Sequence, residues 1–238
     1  STVSFNHQVM IKDTEIQQIF LDYMQEPTGN FDQVRSDYRQ RNSFLINLGS
    51  DFYLDEKNTL TTSILYSNAN KNYDSELFLN DFQPIEELIK STYRKVDDNS
   101  DEGFLEAYFQ FTTKFNSEGH QLSADIKYDN SLADNQTDIL NTETFPDSDV
   151  TEQKYVKDEN VDNFYIKADY TLPFNENTSF EAGFKTNFRN YDNDFSSSNL
   201  NRLKSLFEPN ANFTSQIDYN ENIYAFYANY SKQVDKFS

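Results

Sequence analysis

The sequence predicts an all-β fold: an antiparallel up-and-down transmembrane β-barrel, or part of one, with about eight strands. Three observations carry this expectation. The first is strict alternation in residues 163–189. There Phe164, Ile166, Ala168, Tyr170, Leu172 and Phe174 interleave with Asn163, Tyr165, Lys167, Asp169 and Thr171. Four polar residues, Asn175, Glu176, Asn177 and Thr178, follow. The pattern then resumes with Phe180, Ala182, Phe184, Thr186 and Phe188 opposite Glu181, Gly183, Lys185, Asn187 and Arg189. Successive side chains leave a strand on opposite sides, so a period of two reads as a two-faced hairpin closed by a polar turn. The second observation is composition. Mean hydropathy is -0.83 and only 36% of residues are hydrophobic, yet 16% are aromatic. A barrel produces that pairing, because only alternate residues face lipid and aromatic girdles mark the interfaces. The third is an alternation of short and long connections along the chain.

In order, residues 3–21 alternate imperfectly and break at Glu26, Pro27, Thr28, Gly29 and Asn30, a turn cluster. Residues 31–54 sharpen into Phe44, Ile46, Leu48, Ser50, Phe52 and Leu54 on one face. After a short turn at 55–58, Leu60, Thr62, Ile64 and Tyr66 return before the apolar signal fades into Asn68, Asn70 and Asn72. Residues 79–102 read as a longer excursion. Ile85, Leu88, Ile89 and Tyr93 suit a short helix there, and an extended strand tip at 91–96 suits the sequence equally. Leu105, Ala107, Phe109, Phe111 and Phe115 then oppose Glu106, Tyr108, Gln110, Thr112 and Lys114. A short turn at 116–119 leads to Leu122, Ala124, Ile126 and Tyr128 opposite Gln121, Ser123, Asp125 and Lys127. Polar segments at 144–151 and 195–212 read as the other long connections. The last strand holds Tyr224, Phe226, Ala228, Tyr230 and Val234, with Ile223, Ala225 and Tyr227 as a rival apolar set. All the apolar bands lie beside the short turns, as expected if that rim sits at the membrane and the strands project beyond it.

Composition narrows the function classes. Lys plus Arg number 20 against 40 Asp plus Glu, a net charge of -20, so a nucleic-acid partner is disfavoured and no basic groove is evident. Cysteine is absent, which removes disulfides and thiolate metal sites. No run approaches the roughly 20 apolar residues of a membrane helix, and residues 1–6 carry no signal-peptide pattern.

The hairpin at 165–189, the segment NTLTTSILYSNANKN from Asn58 to Asn72, and the closing ENIYAFYANYSKQ resemble the barrel portion of TonB-dependent outer-membrane receptors. More narrowly, they resemble the outer-membrane β-barrel family common in Bacteroidetes. The resemblance implies a cell outer membrane location in a Gram-negative bacterium and import of scarce nutrients such as metal chelates or oligosaccharides. It also implies a barrel of about 22 strands with an N-terminal plug. The implied partners are outer-membrane lipid, the rest of the receptor with its plug, a TonB-type energy coupler and a surface lipoprotein. Residues 1–238 are read as one barrel domain without a plug, an internal portion of a larger receptor, with Lys236, Phe237 and Ser238 entering another short turn. An independent eight-stranded barrel is the alternative within this class. A soluble secreted β-sandwich or adhesion module with an acidic cation- or glycan-binding surface is the alternative outside it, and a small structural outer-membrane barrel the third.

Candidate sites are few. Asp97, Asn99 and Asp101 echo the oxygen spacing of a calcium loop, but Glu102 stands where that loop needs Gly and Tyr108 where it needs its last Glu. A solvated acidic loop, with calcium held weakly if at all, is the plainer expectation, and Asp147, Asp149, Asp192 and Asp194 are weaker candidates still. His7 and His120 read as surface residues. Glu106, Lys114, Asp125, Lys127, Lys167, Asp169, Glu181, Lys185 and Arg189 all fall on the polar face, as a hydrated wall with charges paired across strands. No GxSxG, P-loop or HExxH pattern occurs, so neither catalysis nor a bound cofactor is expected.

Overall fold

The computed structural model describes residues 1–84, 87–116 and 119–233. They form a single antiparallel sheet. Its strands are β1 (Thr2–Leu21), β2 (Pro27–Tyr53), β3 (Asn58–Phe82), β4 (Leu88–Lys114), β5 (Gln121–Phe145), β6 (Asp149–Asn175), β7 (Thr178–Asn201), β8 (Leu206–Pro209) and β9 (Ser215–Lys232). Each of β1 to β7 pairs with its sequence neighbours. β8 and β9 lie end to end along β7, separated by the 3-10 turn Ala211–Phe213. The nine strands thus fill eight positions across the sheet, with β1 at one edge, β8 and β9 at the other, and no parallel pair among the described residues.

The strands are much longer than a membrane requires. β2, β4 and β6 have 27 residues each, about 90 Å of extended chain, whereas a spanning strand needs only about 9 to 11 residues. This corrects the expectation of long connections. Residues 79–82 and 88–102 are strand, and Ile85 lies outside the described residues. The excursion at 144–151 reduces to a turn at 146–148. That at 195–212 is strand to Asn201, a turn at 202–205 and the returning β8. The first turn lies at 22–26, and Pro27 already begins β2. Polar alternation hides such strands, because both of their faces carry polar residues and no apolar contrast marks them. Val234 and residues 236–238 lie outside the described residues.

Asx side chains fold the turns locally. Asp55 accepts from the backbone amides of Lys57 and Asn58, Asn116 from His120, Asn175 from Asn177, and Asp22 from Met24 and Glu26. Each side chain supplies the acceptor that a tight reversal leaves missing.

Register shifts are confined to strand tips, so the two faces stay separate along the whole sheet. One apolar row runs Leu48, Ile64, Ala107, Tyr128, Phe164 and Phe188 from β2 to β7. The next runs Thr62, Phe109, Ile126, Ile166, Thr186 and Tyr224. The same register settles the last strand. Tyr224, Phe226, Ala228 and Tyr230 join the apolar face, and Ile223, Ala225 and Tyr227 the polar one.

Nothing among the described residues covers the apolar face. Phe109 is 49% exposed, Ile126 44%, Phe164 39% and Phe174 59%. Among the described residues only Ala69 and Val161 are buried hydrophobics, and both point to the polar side. A sandwich would bury its Phe-rich face against a second sheet; this sheet presents that face outward. Aromatic rings cross it in contact, with Phe164 and Phe188 centroids 6.4 Å apart and Phe188 and Tyr224 at 5.8 Å. His120 is a half-buried surface residue with partners on the apolar face. It packs at 4.5 Å on Phe115, and its Nε2 lies 2.8 Å from the Tyr170 hydroxyl.

Candidate functional site on the polar face

The opposite face is a wall of polar residues, and the charges assigned to it by alternation all lie there. Lys127 sits 3.1 Å from Glu106 and 3.0 Å from Asp129, Lys167 pairs with Asp169, and the Tyr108 hydroxyl donates to Asp125 at 3.0 Å. Pairing of this kind holds side chains in place on a hydrated wall, each exposed pair contributing about 0.2 to 1 kcal/mol.

Further from the short-turn rim the wall changes character. Asp37 of β2 is 4% exposed and Ser75, opposite it on β3, is 1% exposed. Asp37 accepts from Arg35 Nε at 2.7 Å, Ser75 Oγ at 2.7 Å and Tyr73 OH at 2.8 Å. Burial opposes its charge, but the hydrogen bonds from Ser75, Arg35 and Tyr73 outweigh that and hold its pKa below the ordinary carboxylate value. Arg35 also donates to the Tyr73 hydroxyl. Arg39 lies 3.7 Å from Asp37, with its guanidinium 4.7 Å from the centre of the Tyr73 ring. The buried carboxylate thus fixes two arginines and a tyrosine in one arrangement.

Cations concentrate around it. In the four rows through Arg35, Asp37, Arg39 and Arg41, strands β1 to β4 present six cations on this face (Lys12, Arg35, Arg39, Arg41, Lys71 and Arg94) and two carboxylates, Asp37 and Asp98. The row Gln8, Arg41, Lys71, Ser100, Asn135 and Lys157 holds no carboxylate. Lys71 pairs with Glu102 one row away, and Lys157 with Glu159 at 2.7 Å. Arg41 has no carboxylate within ion-pair distance among the described residues, and Ser100, 8% exposed, has a buried hydroxyl without a hydrogen-bond partner. These side chains line a cleft of 410 Å³ together with Arg39, Tyr73, Asp98 and Glu102. The absence of a basic groove, expected from net charge, is therefore corrected: a basic patch exists within an acidic chain. Its signal is Arg35, Arg39 and Arg41 sharing one parity. The partners on β3 and β4 are 30 or more residues away and needed the register.

The outward face at the same height is acidic. Asp101, Asp134, Asp158 and Asp194 stand directly opposite one another across β4 to β7, and Asp192 faces Asp218 on β9. Asp97, Asn99 and Asp101 belong to this face of β4, on an extended strand and not on an acidic loop. Asp97 pairs with Lys95 at 3.1 Å, and Asp101 accepts from Asn70 at 2.8 Å. Alternate residues of a strand stand about 6.6 Å apart, so these three do not converge. Among the described residues no group of three or more His, Cys, Asp or Glu gathers to hold a metal ion.

A family model, that of the outer membrane protein beta-barrel family, matches residues 113–238, more than half of the chain. The chain belongs to the outer membrane protein beta-barrel family. No curated protein and no solved structure matches it. Family membership assigns the chain to the outer membrane and its uncovered Phe-rich face to lipid. The polar face is then the interior wall, the basic cleft lies on that wall beyond the apolar band, and the aspartate rows lie outside, beyond the lipid-facing aromatics. The matched segment begins at the end of β4. Arg39, Arg41 and Lys71 precede it, and they join the same wall through the unbroken register of β2, β3 and β4.

Proposed function

We propose that the chain supplies wall and external surface to a TonB-dependent receptor that imports a scarce nutrient across the outer membrane. The observation that carries this reading is strand length. Strands of 24 to 27 residues extend far beyond the roughly 25 Å apolar band of an outer-membrane barrel, and the excess carries a structured polar interior. A barrel that only anchored or sealed would gain nothing from ordering so much chain, at about 1 to 2 kcal/mol of backbone entropy per residue. Edge strands with free hydrogen-bonding groups do not persist in lipid. The edges of β1 and β9 must therefore be paired in the membrane, and in this reading further strands of a wide barrel, the kind that accommodates a plug, pair them. In this reading the chain is not an enzyme, its wall meets the plug, and an energy coupler and a surface lipoprotein complete the assembly. The test is uptake of labelled iron chelates, cobalamin and oligosaccharides by cells with and without the gene. Loss of one energy-dependent uptake on disruption is expected. Uptake that persists in de-energised cells would indicate a passive pore, and unchanged uptake of every probe a structural barrel.

A further inference from the structure

We propose that the cleft at Arg39, Arg41, Lys71, Tyr73 and Ser100 is a subsite for a small solute bearing two or more oxyanion groups, carboxylate or phosphate. The inference rests on the reading of the polar face as the barrel interior and names the class of solute held there. Four features converge. The first is charge: Arg39, Arg41 and Lys71 line the cleft against Asp98 and Glu102, and the four rows around it hold six cations to two carboxylates, although carboxylates outnumber cations twofold in the whole chain. The second is the carboxylate-free row, in which Arg41, Lys71 and Ser100 are consecutive cross-strand neighbours. Strands lie about 4.8 Å apart, so these three reach across roughly 10 Å, the span of a citrate or pyrophosphate with its contacting side chains.

The third is the Ser100 hydroxyl, buried without a partner at the cleft. A buried hydroxyl left unpaired costs about 1 to 3 kcal/mol, and a ligand oxygen reaching into the cleft removes that cost. The fourth is preorganisation. Asp37 and Ser75 hold Arg35, Tyr73 and Arg39 in position, which lowers the ordering cost on binding. The cleft volume of 410 Å³ is that of a small-molecule site. The net charge of -20 does not forbid an anion there, because at physiological salt charges beyond about 8 Å are largely screened. Local guanidinium contacts then decide the outcome.

The test is isothermal titration of the intact protein, extracted from outer membranes in detergent, with citrate in one arm and inorganic pyrophosphate in the other. At least one is expected to bind, with affinity falling as salt rises, and the stronger arm identifies the oxyanion. Arg41→Gln should weaken that binding about tenfold or more, the loss of one charge-assisted contact. Arg41→Lys should restore part of it, and Ser100→Ala should weaken it by roughly threefold to tenfold. Lys185→Gln, on the wall nearer the short turns, should leave it within about twofold. Heat-modifiable gel migration shows whether each variant is folded. No saturable heat with either anion, or equal losses in Arg41→Gln and Lys185→Gln, would overturn the proposal. Binding is read without energy coupling, so a failed titration leaves the import reading standing, and failed uptake leaves the titration informative.

Discussion

Replacing Gly183 with alanine should destabilise the barrel through a contact no other glycine position makes. Gly183 lies on the polar face of β7 between Asp169 of β6 and Tyr227 of β9. The Tyr227 ring lies across it, and its hydroxyl donates to Asp169 Oδ1 at 2.6 Å. A Cβ at residue 183 would stand 2.5 Å from Tyr227 Cε1, 2.7 Å from the Ala168 carbonyl oxygen and 2.8 Å from Asp169 Oδ1. The Ala168 carbonyl belongs to the paired backbone of β6 and yields only by a local shift of the strand, and the ring must lift as well. Lifting it forfeits a hydrogen bond to a carboxylate, about 1.5 to 3 kcal/mol. The lower unfolded-state entropy of alanine returns roughly 0.4 to 1 kcal/mol. The expected net loss is about 0.5 to 2.5 kcal/mol, read as a shift in urea midpoint for protein refolded into lipid vesicles. Tyr227→Phe, which keeps the ring but loses the same hydrogen bond without the entropic return, should cost about 1.5 to 3 kcal/mol. In a Tyr227→Ala background the penalty of Gly183→Ala should shrink. A neutral or stabilising Gly183→Ala, or an undiminished penalty in that background, would refute the argument.

Three other predictions concern the projecting part of the sheet. Asp37→Ala should cost about 2 to 4 kcal/mol, because it strands two guanidiniums and the buried Ser75 hydroxyl; unchanged denaturant stability would contradict the network. Asp74 and Asp97 face each other on the outward side, where the hydrogen bond to Asp97, together with burial, raises the pKa of Asp74 while the hydrogen bond from Asp74 lowers that of Asp97. The stabilising contribution of Asp74 is present below its unfolded pKa and lost as pH rises through the raised value, so Asp74→Asn should stabilise at pH 7 and fall silent below about pH 4 in a pH-resolved melt. Finally, Asp158→Asn should relieve repulsion from Asp134 and Asp194 by about 0.2 to 1 kcal/mol. Millimolar calcium, by screening the facing carboxylates, should stabilise the native chain more than this variant, and equal responses would mean that the row carries no repulsion to relieve.

How much could be read in the sequence depended on contrast between the faces. The hairpin of Phe164 to Phe188 was legible because lipid and water select opposite residue types at alternate positions. Where both faces are wet, as at Lys95 to Asp101 or Asn190 to Ser197, the same strand carries no contrast and reads as a loop. The last strand was ambiguous because Tyr227, an apolar body with a polar tip, covers Gly183 on the wet face; only pairing with β7 separated it from Phe226. Arg35, Arg39 and Arg41 were visible as residues, but their convergence with Lys71 and Ser100 depends on register between strands separated by long chain segments, and alternation does not encode it. Asp97, Asn99 and Asp101 misled in the opposite sense, since spacing that suits a loop spreads along a strand.

The central claim is that, within the apolar band beside the short turns, even-numbered residues of β6 face lipid and odd-numbered ones the interior. Ile166, opposite Ile126 and Thr186, and Lys167, opposite Asp125 and Lys185, test it one residue apart. Unfolding free energies in lipid vesicles should fall by about 2 to 4 kcal/mol for Ile166→Arg at mid-membrane depth. They should change by less than about 1 kcal/mol for Lys167→Leu, which removes a wall charge that faces both Asp125 and the like-charged Lys185. A damaging Lys167→Leu beside a harmless Ile166→Arg would invert the facing and contradict the account.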